Sequence, residues 1–316
     1  VGELTAFVLF VNTFFAPIQQ MVQLYNTYQQ GQSGLTKIGD ILATPPSILE
    51  SETAIPLRPI QGQIEFKSVT FAYGDGPDVL QDINLSINEG ETFAFVGPTG
   101  AGKSTIAKLI TRFYDPISGS VSIDGQDLRD VQIESLRTQL GVVPQEPFLF
   151  HGTIRDNVAF AKSDASEEEL EEAIAHVGLT ETVDQLTDGI NTLVHERGVS
   201  LSAGERQLLA LARAFISRPR VLVLDEATSS LDLRSEAQIE NVLDGLLEGR
   251  TAILIAHRLA TAMKADRIAV IDKGQIIELG SHDELIGLGG RYSEMFDTWS
   301  SHSESGGPQP TDSQSD

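Results

Sequence analysis

Gly97-Pro98-Thr99-Gly100-Ala101-Gly102-Lys103-Ser104-Thr105 decides how the rest of this chain is read. The stretch fits G-x-x-x-x-G-K-[ST]. A short apolar strand, Thr92 to Val96, runs into it, and a helix from Lys103 to about Tyr114 is expected to run out of it. Glycines let the backbone turn tightly and aim successive N–H groups inward, where phosphate oxygens can be cradled. The start of the following helix adds a favourable field for an anion. Gly97, Thr99, Gly100, Ala101, Gly102 and Thr105 are thus expected to line a phosphate site. Within it Lys103 would neutralise β- and γ-phosphates and Ser104 would offer a hydroxyl to Mg²⁺. The plain alternative is a glycine-rich turn with an incidental lysine, and the flanking strand and helix weigh against it.

Two continuous apolar runs, Val221 to Leu224 and Thr251 to Ala256, have the character of strands buried on both faces of a parallel sheet. The first ends in Asp225 and Glu226. Acids in that position stand at the carboxyl edge of the sheet, where α/β proteins bind ligands. Asp225 would serve Mg²⁺ directly or through water, and Glu226 would orient or deprotonate an attacking water. Acids after a strand are also ordinary turn residues, and it is the phosphate loop that favours the catalytic reading. The long stretch between Lys103 and Asp225 leaves room for an inserted subdomain.

Bulk properties narrow the class. With 316 residues the chain holds one large domain or two modest ones, and 41% hydrophobic with 21% charged residues is ordinary for a folded α/β protein. A formal net charge of −23 argues against a general nucleic-acid binder, so a phosphate site has to build its own local positive field. There is no cysteine, which excludes disulfides.

Leu201-Ser202-Ala203-Gly204-Glu205-Arg206-Gln207 leads into the apolar helix LLALARAF. Ser202 and Glu205 form S-x-x-E, a capping-box pattern whose helix start offers N–H groups and a positive dipole end to a phosphate. This heptapeptide resembles the signature motif of ATP-binding cassette (ABC) ATPases, usually LSGGQ followed by Arg-Gln. Other marks of that family follow in order: Tyr73 where an adenine-stacking aromatic stands, Gln145 in VVPQEPFLF where a Mg²⁺-sensing glutamine stands, Ser229-Ser230-Leu231-Asp232 as the D-loop, and His257 as the switch histidine. Singly, Tyr73 reads as a core aromatic, Gln145 as a loop residue and His257 as a capping or core histidine; their joint order changes that reading.

The resemblance spans roughly Gln63 to Trp299. It implies an α/β fold of the P-loop NTPase class: a RecA-like parallel-sheet core, an antiparallel β subdomain and an inserted α-helical subdomain at about 131–215. It implies ATP and Mg²⁺ as ligands, Ser104, Gln145 and Asp225 around the metal, and Glu226, His257 and Lys103 in hydrolysis. It also implies a second cassette, identical or not, whose ATP would be closed by Ser202, Gly204 and Glu205 of this one. Two positions depart from the family pattern. Ala203 replaces a glycine, and Glu205 replaces a glutamine and brings a carboxylate near a phosphate. The expectation is that Glu205 folds back onto its own helix cap.

Val194-His195-Glu196-Arg197-Gly198 resembles the X-loop of exporters, which implies contact with coupling helices of a membrane domain. Leu4 to Ile18 is apolar apart from Thr5, Asn12 and Thr13, and as a helix reaches roughly 22 Å, short of a ~30 Å hydrocarbon core. Alone it reads equally as a core helix or as the end of a membrane helix. Beside the resemblance, residues 1–44 read as the end of a last transmembrane helix with its cytoplasmic extension, 45–61 as a proline-containing linker, 62–299 as the cassette, and 300–316 as a disordered tail. The chain is then expected to be the ATPase portion of an integral membrane exporter, with the cassette on the cytoplasmic side and a lipid or hydrophobic drug-like cargo. The alternatives are a soluble ABC ATPase without a membrane role and a P-loop kinase; the signature argues against the kinase.

Overall fold

The computed structural model describes residues 2–194, 201–225, 233–256 and 259–304. The chain divides into two compact units, Val1–Leu49 and Glu50–Asp316.

The first unit is one helix, α1 (Gly2–Ala43), with no buried residue. It carries the apolar run on through Ala43 as a single rod of about 63 Å by the usual rise per residue. Thr44 closes its end by bonding back to Ile41 and Asp40. Pro45-Pro46 then prevents continuation, because proline lacks the N–H and disfavours helix in the residue before it.

The second unit is built on a six-stranded sheet in the order β12 (Gln275–Gly280), β11 (Arg267–Asp272), β3 (Thr92–Val96), β10 (Thr251–Ile255), β9 (Val221–Asp225), β6 (Leu140–Val143). Neighbouring pairs are parallel except the β11–β12 hairpin at the edge. Residue alternation divides the core between the two faces. Ala94, Val96, Leu222, Leu224, Leu254, Ile268 and Val270 face one apolar cluster, while Phe93, Phe95, Val221, Val223, Ile253, Ile255, Ala269 and Ile271 face the other. Both faces being covered is why these strands read as unbroken apolar runs.

Over the second face lies an antiparallel sheet, β2 (Asp78–Ile87), β1 (Ile64–Ala72), β4 (Ser118–Ile123), β5 (Gln126–Asp127). The same cluster takes in α2 (Lys103–Ile110), which packs on β9 and β10, and α3 (Ile133–Arg137). The first face carries the helical layer: α4 (Ile154–Ala159), α5 (Glu167–His176), α6 (Thr180–Asp184), α7 (Ala203–Ile216) and α8 (Leu233–Leu247), with a small ladder of β7 (Gly152–Thr153) and β8 (Leu193–Val194). Helices α9 (Leu259–Ala262), α10 (His282–Leu288) and α11 (Arg291–Glu304) complete the unit.

The structure differs from the sequence reading at four places. The linker is half docked. Leu57 and Ile60 are buried, Ile55 bridges Val131, and the amides of Leu57 and Ile60 bond to Ser135 Oγ and Gln139 Oε1. Residues 50–61 therefore form a strap on the cassette. The inserted helical layer begins after Val143 rather than near 131, because β6 pairs with β9 and Val131, Leu136 and Leu140 belong to the opposite core cluster. Helix α11 continues through Glu304, past Trp299. Residues 305–316 lie outside the described residues.

Helix α2 stops at Ile110, short of Tyr114. Arg112 takes φ +48° and closes a Schellman turn, with Arg112 N donating to Leu109 O and Phe113 N to Lys108 O. A non-glycine residue holds that left-handed position because its guanidinium is anchored: it is buried, donates to Val131 O and pairs with Asp115.

Candidate functional site

The phosphate loop spans the turn from β3 into α2. Gly97 has φ +147°, and a Cβ there would sit 2.1 Å from Ile271 O. Only glycine can thus leave β3 beside β11 at this angle. Gly102 caps α2 at φ +111° without any side-chain cap, so the first turn of α2 presents its N–H groups to whatever anion lies in the loop. Lys103 is buried, and its ammonium donates to Gly97 O at 2.7 Å and Pro98 O at 3.1 Å. The positive charge is therefore folded into the concave side of the loop. Thr99 and Gly100 are exposed at the rim, Ala101 is buried beneath it, and Ser104 is half-buried at the helix start.

Strand order brings the other candidates to the same edge. β3, β10, β9 and β6 are parallel neighbours, so their carboxyl ends lie side by side. In register, Phe95 stands beside Ile255, Ile255 beside Asp225, and Leu224 beside Val143. The phosphate loop leaves the first of these strands, Asp225 ends the third, and Gln145 lies exposed two residues past the fourth. Asp225 Oδ1 is buried with no hydrogen-bond partner among the described residues. A carboxylate oxygen in that state calls for a cation or a water held by one. With the Ser104 hydroxyl and the Gln145 amide as further oxygen donors, the set suits a hard divalent ion such as Mg²⁺. Glu226, the D-loop Ser229–Asp232 and His257 lie outside the described residues, as do residues 195–198 of the X-loop.

Tyr73 follows β1, and its hydroxyl reaches Thr105 Oγ1 at 3.0 Å in α2. Its ring meets Phe71 and Tyr114 edge-on, and Lys108 Nζ lies 5.3 Å from its centroid. Tyr73 is thus held beside the phosphate-loop helix with a little over a third of its surface open.

The signature sits in the helical layer. Ser202 Oγ accepts from Glu205 N at 3.2 Å, and Glu205 Oε2 accepts from Ser202 N at 2.7 Å, closing a complete capping box on α7. The carboxylate that departs from the family pattern is therefore turned back onto its own helix cap. Gly204 is buried inside that first turn, while Ala203 is exposed.

Sequence reasoning missed a polar knot behind this helix. Arg213 of α7 donates to Asn157 O at 2.6 Å, Asn157 Oδ1 at 2.5 Å and Phe148 O at 2.5 Å. Asn157 is fully buried and bonds both the N–H and the C=O of Phe150. Arg213 is the one charged residue in Leu208–Ile216, and that was the signal available. The knot forms one wall of a groove of about 800 Å³, lined by Phe148, Phe150, Phe160, Arg137 and Glu134.

A phosphate loop, a strand-end aspartate and a glutamine on one parallel-sheet edge define a P-loop nucleotide-binding domain with an inserted helical layer. Residues 80–229 match the family described as ABC transporter, so the chain carries that family's ATP-binding domain. It is similar to the uncharacterized ABC transporter ATP-binding protein YwjA of Bacillus subtilis (strain 168), 46% identical over 93% of this chain and 51% of that protein. An ATP-dependent lipid A-core flippase of Syntrophus aciditrophicus (strain SB) is 41% identical over 93% of this chain and 49% of the flippase. Among solved structures, a bacterial Atm1-family ABC exporter with ATP bound superposes with a TM-score of 0.79 at 38% identity, covering 92% of this chain and 51% of the exporter. The chain spans about half the length of these relatives.

Proposed function

We propose that this chain is the ATP-hydrolysing portion of an ABC exporter subunit, which couples closure of two cassettes around MgATP to movement of cargo through a membrane domain. The observation that carries this reading is the strand order β3-β10-β9-β6, which gathers the phosphate loop, Asp225 and Gln145 on one edge. Likeness to exporters along nearly the whole chain supports it.

In this reading the backbone from Gly97 to Thr105, with Lys103, holds the β- and γ-phosphates, and Tyr73 stacks on adenine. Ser104, Gln145 and Asp225 hold Mg²⁺, which when bound offsets charge on the β- and γ-oxygens. Glu226 orients and deprotonates the attacking water, and His257 contacts the γ-phosphate. Ser202 and Gly204 present the start of α7 to ATP held by the second cassette. Glu205, turned onto its cap, withholds its carboxylate from that phosphate. Two nucleotides sandwiched this way stabilise the closed pair, and hydrolysis removes that stabilisation, which is the differential binding a transport cycle needs.

The membrane assignment rests on α1. Among the described residues it is the helix long and apolar enough to cross a membrane, with a mean hydropathy of 1.3 in its most apolar window. The X-loop, Val194 to Gly198, is the segment we assign to coupling helices of the membrane domain. The cassette then lies on the cytoplasmic side, and the cargo belongs to the lipid or hydrophobic drug-like class.

The test is ATP turnover by the full-length protein in lipid, with and without Glu226→Gln. Removal of a general base should lower kcat by about 100-fold or more while ATP still binds. Undiminished turnover in the variant would remove Glu226 from this role, and absence of turnover in the parent would overturn the hydrolytic reading.

A further inference from the structure

Arg213 is a half-buried cation whose partners are all uncharged. It donates to Phe148 O, Asn157 O and Asn157 Oδ1, and no carboxylate pairs with it among the described residues. Burial pushes its guanidinium down to about 10, so it stays charged at neutral pH. A half-buried cation without a counter-ion relies on its acceptors staying in place, since losing one inside the fold leaves a charged N–H unsatisfied.

Those acceptors belong to two other segments. Phe148 lies three residues after Gln145, in the loop that leaves β6, and Asn157 belongs to α4. Asn157 in turn bonds Phe150 N at 2.9 Å and Phe150 O at 3.0 Å, and reaches Thr153 O at 2.9 Å. The Phe150 ring lies under the guanidinium at 5.4 Å. At the other end of the same helix, α7 begins with the Ser202–Glu205 cap. One planar group therefore connects the helix that carries the signature to the loop that carries Gln145.

We infer that Arg213 is a positioning residue for hydrolysis, tying the Gln145 loop to the signature helix so that the two shift together when the cassettes close. This rests on the hydrolytic reading above. The fork geometry is what qualifies arginine. It meets the carbonyl of one segment and the amide side chain of another in fixed directions, which the single ammonium of lysine does not do. The residue touches neither nucleotide nor metal and acts through Gln145 and the signature.

The test compares full-length wild type with R213K in lipid, using R213Q as a second variant should R213K accumulate poorly. Turnover, KM for ATP, thermal unfolding and hydrogen exchange of the 145–151 segment are measured on each. The expected result is a fall in kcat of about tenfold or more with KM within about twofold, the split that marks loss of an interaction made only in the reacting state. Amide exchange at Phe150 should quicken by about tenfold while the rest of the cassette and its midpoint hold. Wild-type turnover in R213K overturns the inference, and so does lost turnover with unchanged exchange in the loop. A fall in kcat that tracks a general loss of stability also overturns it, by making Arg213 merely structural. If the wild type itself shows no turnover, the hydrolytic reading has failed, and the exchange measurement still decides whether Arg213 holds the loop.

Discussion

The phosphate-loop edge and the signature helix, the two places we propose to meet phosphate, are made in opposite ways. The first is a backbone device. Glycine at 97 and 102 permits angles and approaches that a Cβ forbids, and α2 begins with no side-chain cap at all. The second is a side-chain device. Ser202 and Glu205 satisfy part of the first turn of α7 reciprocally, and Arg213 with Asn157 fixes where that helix stands. The difference teaches where each is fragile: adding one methyl breaks the first, and deleting one hydrogen-bonding group loosens the second.

Gly97→Ala should give the largest effect. The added Cβ would lie 2.1 Å from a backbone oxygen of β11, which has no freedom to withdraw from the sheet. We expect a loss of about 2–4 kcal/mol in stability and ATP binding too weak to detect. Chemical denaturation and nucleotide titration check both. A variant that binds ATP normally would mean the loop does not depend on this backbone angle.

Asn157→Ala attacks the other region. It removes bonds to Phe150 on both sides and leaves Arg213 short of an acceptor. The expected cost is about 2–3 kcal/mol, the usual penalty for orphaning buried polar groups. Binding of ATP at the distant phosphate loop should change by less than about twofold. If both regions weaken together, the division drawn between them fails.

The same contrast governs what the sequence could reveal. The phosphate loop, β3, β9 and β10 were legible because their cause is local: a glycine pattern, or a run whose burial shows in its own residues. The capping box at Ser202–Glu205 was legible for that reason too. That β10 lies between β3 and β9, with β6 at the edge, is a long-range fact that residue spacing does not carry. The knot at Arg213 was not legible, because its partners stand more than fifty positions upstream. The early end of α2 was missed since Arg112 occupies a left-handed position usually marked by glycine, held there by contacts to residues distant in sequence.

Substitutions at Glu205 sharpen the comparison at smaller cost. Glutamine at this position can still accept from Ser202 N, so Glu205→Gln should keep the cap and change turnover by less than about tenfold. Glu205→Ala loses that acceptor and should cost about 1 kcal/mol. A gain of tenfold or more in Glu205→Gln would show that the native carboxylate does repel the partner's phosphate, whatever its place in the cap.

The smallest expected effect tests whether side-chain caps in the helical layer work through charge. In α4, Asp156 Oδ2 accepts from Thr153 N at 2.8 Å while Thr153 Oγ1 accepts from Asp156 N at 3.0 Å. The backbone N–H of Thr153, and then its hydroxyl, hold the Asp156 carboxyl below the usual aspartate range. Because the folded value is depressed, the stability tied to this carboxylate is fully present above the unfolded value of 3.8 and is lost as pH falls through the folded one. Asp156→Ala should therefore be less stable than wild type by about 0.5–1 kcal/mol at neutral pH. That gap should narrow on going down to about pH 3, as protonation removes the charge in wild type alone. Urea midpoints at matched ionic strength measure it. A gap that stays constant with pH would mean the cap works through geometry and neutral hydrogen bonds, and the helical layer would then share the charge-independent character of the glycine loop it is contrasted with.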